Sequence, residues 1–483
     1  MLQIKNSFDN LPFKFRDQSQ PLLYYKEKPL FAFGPMSETA TFAFKLGSKA
    51  YDVEMWAKWQ KNNGMGYVRC YAEQSYGWVD INAEGRLYPF EQEEPFIFNL
   101  DKFSTEYWEN FRKVCCVLKE NDIILHLQLV QVCYFKEWAP EHRRWQCNYW
   151  NPKNNVNDYT AKLKPEFPFS DRNPSIMKHW RRYLYSILNA AGDLGNVIID
   201  LGNELTADME WVRWNLEIIG QWEREKEIKI IKGLDYTHTE NTVEVLSHPG
   251  LDVIITHGQY VCDVPFLRKL FNKPVITVIS RDSGYLGLGE ASENQDRFRK
   301  FHYRCFMKKV QGVGDYGKIM DKQELGKNIL LPETDRVREF AAQAKILTDF
   351  VNSINSYEKM QCTPFSIISC PKDSSVHFLE AEDEAIIYLE SGMNTINDGM
   401  EFNDDVLVFS LKLFGTLDEG SGELSAKVIN PSTGEFKVVP VMFEEFMVSP
   451  SGSKLNPRSV GKINLPKFKN DILVYISSKY PRE

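Results

Sequence analysis

Over its second half this sequence has no tryptophan: all eleven lie between Trp56 and Trp222. No stretch approaches the ~18 consecutive apolar residues of a membrane-spanning helix, which excludes a helical membrane protein. The first 25 residues, MLQIKNSFDNLPFKFRDQSQPLLYY, have neither an apolar core nor a small-residue cleavage site, so no signal peptide is read there. Lys and Arg number 58 against 66 Asp and Glu, for a net charge of −8, and no basic run stands out. A nucleic-acid partner held through phosphates is therefore not expected, nor is a membrane partner. The nine cysteines form no C-x-x-C and no Cys/His run at zinc spacing, so they read as buried free thiols of a reducing compartment, with a cytoplasmic location as the expectation. No glycine-rich phosphate turn follows the first strand: FAFGPMSET is not one, which argues against a doubly wound nucleotide-binding sheet.

What is present is an ordinary globular balance, 43% hydrophobic and 26% charged, with an aromatic share of 13%. The length of 483 residues suits one long barrel plus an appendage. Short runs rich in Ile, Val and Leu recur at 29–34, 65–71, 122–130, 196–204, 228–236, 251–258, 273–280 and 311–317. Such runs suit parallel strands buried on both faces. Amphipathic helical patterns separate them, among them YDVEMWAKWQKNN, STEYWENFRKVCCVLKEN and SIMKHWRRYLYSILNAAG. Ser104-Thr105-Glu106 and Asn173-Pro174-Ser175 offer helix starts. Eight strand–helix units make an α/β fold of the (β/α)8 barrel type. From about 363 the runs are short and β-rich with turn-forming separators and no helix between them, which reads as an antiparallel β-sandwich. The expected organisation is a lead-in over 1–28, the barrel over 29–360 and the sandwich over 361–483.

Reactive groups of a barrel come from the C-terminal ends of its strands. Collected there are Arg69 after strand two, Trp138, Trp145 and Trp150 in the long segment after strand three, and Asn203 and Glu204 after strand four. Asp235 follows strand five, His257 and Tyr260 strand six, Arg281 and Asp282 strand seven, and Asp315 strand eight. An acidic, aromatic-rimmed mouth suits carboxylate chemistry on a carbohydrate, since Trp faces pack on sugar C–H surfaces while acids and amides bond hydroxyls. Glu204 follows an apolar strand that stops at Gly202, the position a general acid needs; spacing alone equally allows it to cap the following helix. Arg69 can orient a strand-seven carboxylate or satisfy a buried acid. His257 can bond a substrate hydroxyl, or a carboxylate, or be a satisfied wall histidine. Glu38, Glu73 and Asp235 read either as hydroxyl acceptors or as solvated acids. Trp56, Trp59, Trp211, Trp214 and Trp222 fall on helices and read as core. Trp138, Trp145 and Trp150 occupy a long loop, and at least one of them is expected to stack on a sugar.

The stretch FNLDKFSTEYWENFRKVCCVLKENDIILHLQL with GNVIIDLGNEL resembles the clan A retaining glycoside hydrolases, cellulase-like (β/α)8 enzymes, including apiosidase-like and related proteins with a C-terminal β-sandwich. The resemblance implies that Asn203-Glu204 is the strand-four pair carrying the general acid/base, that Arg69 is the strand-two arginine, and that His257 and Tyr260 follow strand six. It further implies two-carboxylate hydrolysis of an O-glycosidic bond with no cofactor and no metal, on a neutral glycan or glycoside. One element departs from the pattern. The strand-seven nucleophile of that group is a Glu, whereas KPVITVISRDSG places Ile279 there, and the first carboxylate is Asp282. Asp282 stands as a displaced nucleophile, as the base of an inverting variant, or as the mark of a glycan-binding protein that has lost catalysis.

Overall fold

The computed structural model describes residues 12–16, 21–37, 40–47, 52–72, 86–130, 145, 148–157, 174–203, 209–236, 242–279, 295–315, 335–362, 367–391, 401–402, 406–411, 424–446 and 458–477. The chain divides into two compact units, Met1–Ser280 with Gln311–Thr334, and Arg281–Val310 with Asp335–Glu483.

The first unit holds eight parallel strands: β1 (Ala32–Ser37), β2 (Tyr67–Tyr71), β3 (Ile124–Gln128), β4 (Val197–Asp200), β5 (Ile231–Tyr236), β6 (Val253–His257), β7 (Val275–Ile279) and β8 (Gly312–Asp315). They pair in chain order, and β8 returns to β1 with Gly312 opposite Ala32, closing the barrel. Seven of them lie within the apolar runs of the sequence, and β1 begins in the run 29–34 and extends to Ser37. The helices between them start where polar side chains can accept from free N–H groups. Asp52 accepts from the Met55 N–H (3.0 Å) to open α1 (Val53–Asn62), and Ser104 from the Tyr107 N–H (3.3 Å) to open α2 (Thr105–Glu120). Pro174 opens α3 (Pro174–Ala191), where its missing N–H costs nothing, and α4 (Met209–Lys226) follows β4.

Inside the barrel, Ala32, Tyr67, Ile124, Ile198, Ile231, Val253, Ile255, Ile276 and Val278 pack as one apolar layer. The floor is closed by an antiparallel hairpin of Phe13–Arg16 and Leu22–Tyr25, which contributes Phe13 and Leu23 to the same cluster. Gln311 fastens this hairpin, accepting from the Leu23 N–H (2.7 Å) and donating to the Leu23 carbonyl (2.8 Å). Room for the large Tyr67 ring comes from glycine: a Cβ on Gly312 would lie 2.7 Å from it. A second, larger core joins β2–β4 to α1–α4.

Among the described residues the second unit holds a sandwich of two sheets, a short ribbon pairing 401–402 with 468–469, and two helices. One sheet orders 361–362, 374–380, 384–391, 471–477, 425–429 and 436–440; the other orders 367–369, 406–410, 458–464 and 442–446. Phe378, Ile387, Leu389, Val428, Val474 and Ile476 of the first meet Leu407, Phe409 and Ile463 of the second in a dry core. On the alternate positions of the first sheet stand Glu384, Tyr388, Glu390, Asp471 and Tyr475, all buried. Helix Gln295–Met307 answers them with cations: Arg299 grips both oxygens of Asp471 (3.0 and 2.5 Å), and Arg304 bonds Glu390 (2.5 Å). The Glu384 carboxylate accepts from the Ser356 N–H (2.6 Å), just after helix Asp335–Ser353. Among the described residues no helix is long and apolar enough to cross a membrane, and the seven cysteines described are free thiols.

Candidate active site

Side chains alternate along a strand, so residues two beyond the apolar layer also point into the barrel. On β2, β3, β4 and β6 these positions are Arg69, His126, Asp200 and His257, and two residues further on β3 and β5 stand Gln128 and Asp235. With Tyr67 they form two connected tiers across β2 to β6.

In the lower tier the Tyr67 hydroxyl lies 2.8 Å from His126 Nδ1, and His126 Nε2 lies 3.0 Å from Asp200 Oδ2. Burial pushes the Tyr67 hydroxyl well above its ordinary pKa and drives His126 down, so the phenol keeps its proton and the imidazole is neutral. An acceptor-only carboxylate then requires Nε2 to carry the imidazole proton, and Nδ1 accepts from Tyr67. Asp200 Oδ2 also accepts from Gln128 Nε2 (2.9 Å).

In the upper tier one guanidinium nitrogen of Arg69 shares its two hydrogens among three acceptors, Gln128 Oε1 (2.9 Å), Asn203 Oδ1 (2.5 Å) and Asp235 Oδ2 (3.0 Å). The guanidinium also lies over the Tyr71 ring at 5.6 Å. Arg69 is 2% exposed and Asp235 not at all, so this is a buried ion pair. His257 Nε2 completes it, 3.0 and 3.1 Å from the two oxygens of Asp235. Burial pushes the Asp235 carboxyl up, but His257 and Arg69 pull further and hold it below the usual aspartate range. Burial likewise works against the Arg69 charge, and Tyr71, Asp235 and Asp200 more than offset it.

Asn203, His257 and Arg69, expected from the sequence to face a substrate, are thus brought together, and each is committed to the others or to Asp235. Of the alternatives open for Arg69, the described contact is with a buried acid on β5. His257 bonds a carboxylate, that of the same Asp235. Glu204, Asp282 and Trp138 lie outside the described residues, as do Glu38 and Glu73. Tyr260 lies in a 3-10 turn, Gly258–Asp263, and its side chain is outside the described set.

Of the three tryptophans of which at least one is expected to stack on a sugar, Trp138 lies outside the described residues, and Trp145 and Trp150 are buried. Trp150 is 0% exposed and Trp145 6%, so neither offers a face to a sugar. The cause is the asparagine content of NYWNPKNN. Asn151 donates to the Trp145 carbonyl (2.9 Å), Asn154 to that of Asn148 (2.9 Å) and Asn155 to that of Tyr149 (3.1 Å). These bonds wind the segment back on itself and press Trp150 against Phe90, Trp180 and Tyr183 at centroid distances of 5.6–5.9 Å. Trp56, Trp211 and Trp222 are core as expected, and Trp214 is partly buried against it. Sequence reasoning passed over Tyr67, His126, Gln128 and Asp200. The signal was there as polar residues at period two, H-L-Q in β3 and the final D of VIID in β4.

No protein-family profile matches the sequence, and no curated protein matches it. Solved structures do. One glycoside hydrolase aligns over 99% of this chain and 99% of its own, with a TM-score of 0.59 at 10% identity. A glycoside hydrolase family 5 protein from Bacteroides vulgatus ATCC 8482 aligns over 98% of this chain and 94% of its own, with a TM-score of 0.60 at 12% identity. The likeness is one of fold: the barrel with a β-sandwich that the resemblance to clan A glycoside hydrolases implied is the architecture observed.

Proposed function

We propose that the chain is a glycoside hydrolase that cleaves an O-glycosidic bond by two-carboxylate acid/base chemistry with retention, on a neutral glycan or glycoside. Glu204 protonates the leaving oxygen and then activates water, and Asp282 attacks the anomeric carbon. The observation that carries the proposal is the buried contact of Asn203 with Arg69 at the C-terminal end of β4, immediately before Glu204 in the chain. Because Arg69 has only donors to offer, Asn203 turns its oxygen to it, and the Nδ2 hydrogens face the other way. This contact holds the Asn203 amide next to Glu204 in the chain, where the proposal has it bond a sugar hydroxyl beside the reacting carbon. The commitment of Arg69 to Asp235 speaks for a neutral substrate, since that cation already has its anion.

A panel of aryl glycosides tests the proposal on wild type, Glu204→Gln and Asp282→Asn. Wild-type turnover lost in Glu204→Gln is the expected result; undiminished turnover in that variant removes Glu204 from the mechanism. A second reading, glycan binding without hydrolysis, is favoured by one observation: the described inward residues of β7 are Ile276 and Val278, and the carboxylate paired with Arg69 stands on β5. A wild type that binds oligosaccharides in calorimetry and turns over none of the panel supports that reading.

A further inference from the structure

At the end of β4 the hydrogen-bond ladder is handed from main chain to side chain. The Leu201 N–H still bonds the Gly233 carbonyl (3.0 Å), and the Asn203 N–H crosses to the Val130 carbonyl (2.8 Å). Between them the chain leaves the strand. The Gly202 and Asp235 N–H groups donate instead to Asp200 Oδ1, at 3.1 and 3.0 Å. The other oxygen, Oδ2, takes Gln128 Nε2 and His126 Nε2. A wholly buried carboxylate therefore ties β3, β4 and β5 together where the candidate site begins.

These bonds have a direction. Asp200 only accepts, so Gln128 must turn its NH2 toward it and its oxygen toward Arg69. Arg69 only donates, so Asn203 must also turn its oxygen inward. We infer that Asp200 is a positioning residue for the strand-four site: by turning the Gln128 oxygen toward the guanidinium it holds Arg69 in place, and Arg69, a donor only, in turn fixes where the Asn203 amide sits and which way it faces. The inference rests on the reading of Asn203-Glu204 as the reactive pair for its consequence in turnover, but not for the relay itself.

Asp200→Asn puts an NH2 where Gln128 already presents one, because the Gly202 and Asp235 N–H groups keep the new oxygen on their side. Gln128 can relieve the clash only by turning its own NH2 onto the guanidinium. Gln128→Glu alone sets two carboxylates together. The double variant Asp200→Asn/Gln128→Glu restores a complementary chain, amide to carboxylate to guanidinium, at unchanged net charge, with His126 taking its other tautomer.

The test follows the Asn203 side-chain amide by NMR on protein labelled with 15N-asparagine, the pair being assigned by its loss in Asn203→Asp, together with kcat and KM on the aryl glycosides. Asp200→Asn should displace the amide pair and lower kcat on the order of 10²-fold, as a misplaced catalytic group does, with KM little changed. The double variant should return both toward wild type. An amide pair unmoved in Asp200→Asn, or still displaced in a folded double variant, overturns the relay. If Asp200→Asn does not fold, the double variant decides: folded with wild-type amide signals it supports the relay, and unfolded it overturns it. A wild type without turnover removes the hydrolase reading, while the amide signals still decide the relay.

Discussion

Replacing Arg69 by methionine keeps most of its aliphatic bulk and removes the charge from the middle of the upper tier. Three acceptors lose a donor: Gln128 Oε1, Asn203 Oδ1 and Asp235 Oδ2. The Asp235 carboxylate, with no exposure at all, keeps only His257 as a charged or polar side-chain partner among the described contacts. Breaking a buried pair from one side costs about 3–5 kcal/mol, because the orphaned charge stays desolvated. For a domain of this size that is a loss of roughly 6–10 °C in Tm. The cost also depends on pH. Asp235 is held below the usual aspartate range in the fold, so its contribution is fully present above the unfolded value, about 3.9, and is lost as pH falls through the lower folded value. Without Arg69 the Asp235 carboxyl shifts upward and protonates sooner on acidification. The gap between wild type and Arg69→Met should therefore be widest near neutral pH and narrow toward pH ~4. Urea unfolding of both proteins across that range measures it, and Asp235→Asn in the Arg69→Met background should recover part of the loss. A neutral-pH loss below about 1 kcal/mol, or a gap that widens on acidification, refutes the account of Arg69 as the counter-ion of Asp235.

Trp150→Ala should cost stability of about 3–5 kcal/mol by leaving a cavity among Phe90, Trp180 and Tyr183, readable in thermal unfolding, whereas Trp150→Phe should retain binding of any glycan the wild type binds. In the second unit, Asp471→Leu should leave Arg299 buried without its bidentate partner and destabilise that unit by about 3–5 kcal/mol, seen as faster hydrogen exchange over 471–477 and 384–391. Arg299→Met in that background should return much of the loss, since an apolar pair replaces a broken ionic one.

The barrel was legible because its strands are short runs rich in Ile, Val and Leu, so eight of them could be placed in chain order. Helix starts were legible where one residue decides them, as at Ser104. The site was legible in its parts and not in its wiring. Arg69, Asn203, Asp235 and His257 all stand at strand ends, but Arg69 meets Asn203 across 134 residues and Asp235 across 166, and only barrel closure makes those contacts. His126, Gln128 and Asp200 were hidden for a different reason: each sits inside a run whose neighbours are Ile and Leu, and the run reads as core. Trp145 and Trp150 are buried although a long, proline-bearing segment reads as a loop open to solvent. What folds it inward is a set of asparagine-to-carbonyl bonds, local in sequence but invisible to hydrophobic periodicity.

The second unit is assembled from two stretches of chain, and this sets a timetable during synthesis. Arg299 emerges 172 residues before Asp471, the acid it grips, and Arg304 emerges 86 residues before Glu390. At about 5–20 residues per second, the first of these intervals is roughly 10–30 s on the ribosome. For that time helix Gln295–Met307 has only part of its native surface: Phe306 can stack on Tyr357 and Arg304 can reach Glu390 once each is made, but Arg299 still lacks its acid. The unit can close only when its last long strand, Asp471–Ser477, has been made. Ribosome-bound chains halted before residue 471 should therefore present this helix to proteases, and those halted well beyond 477 should protect it.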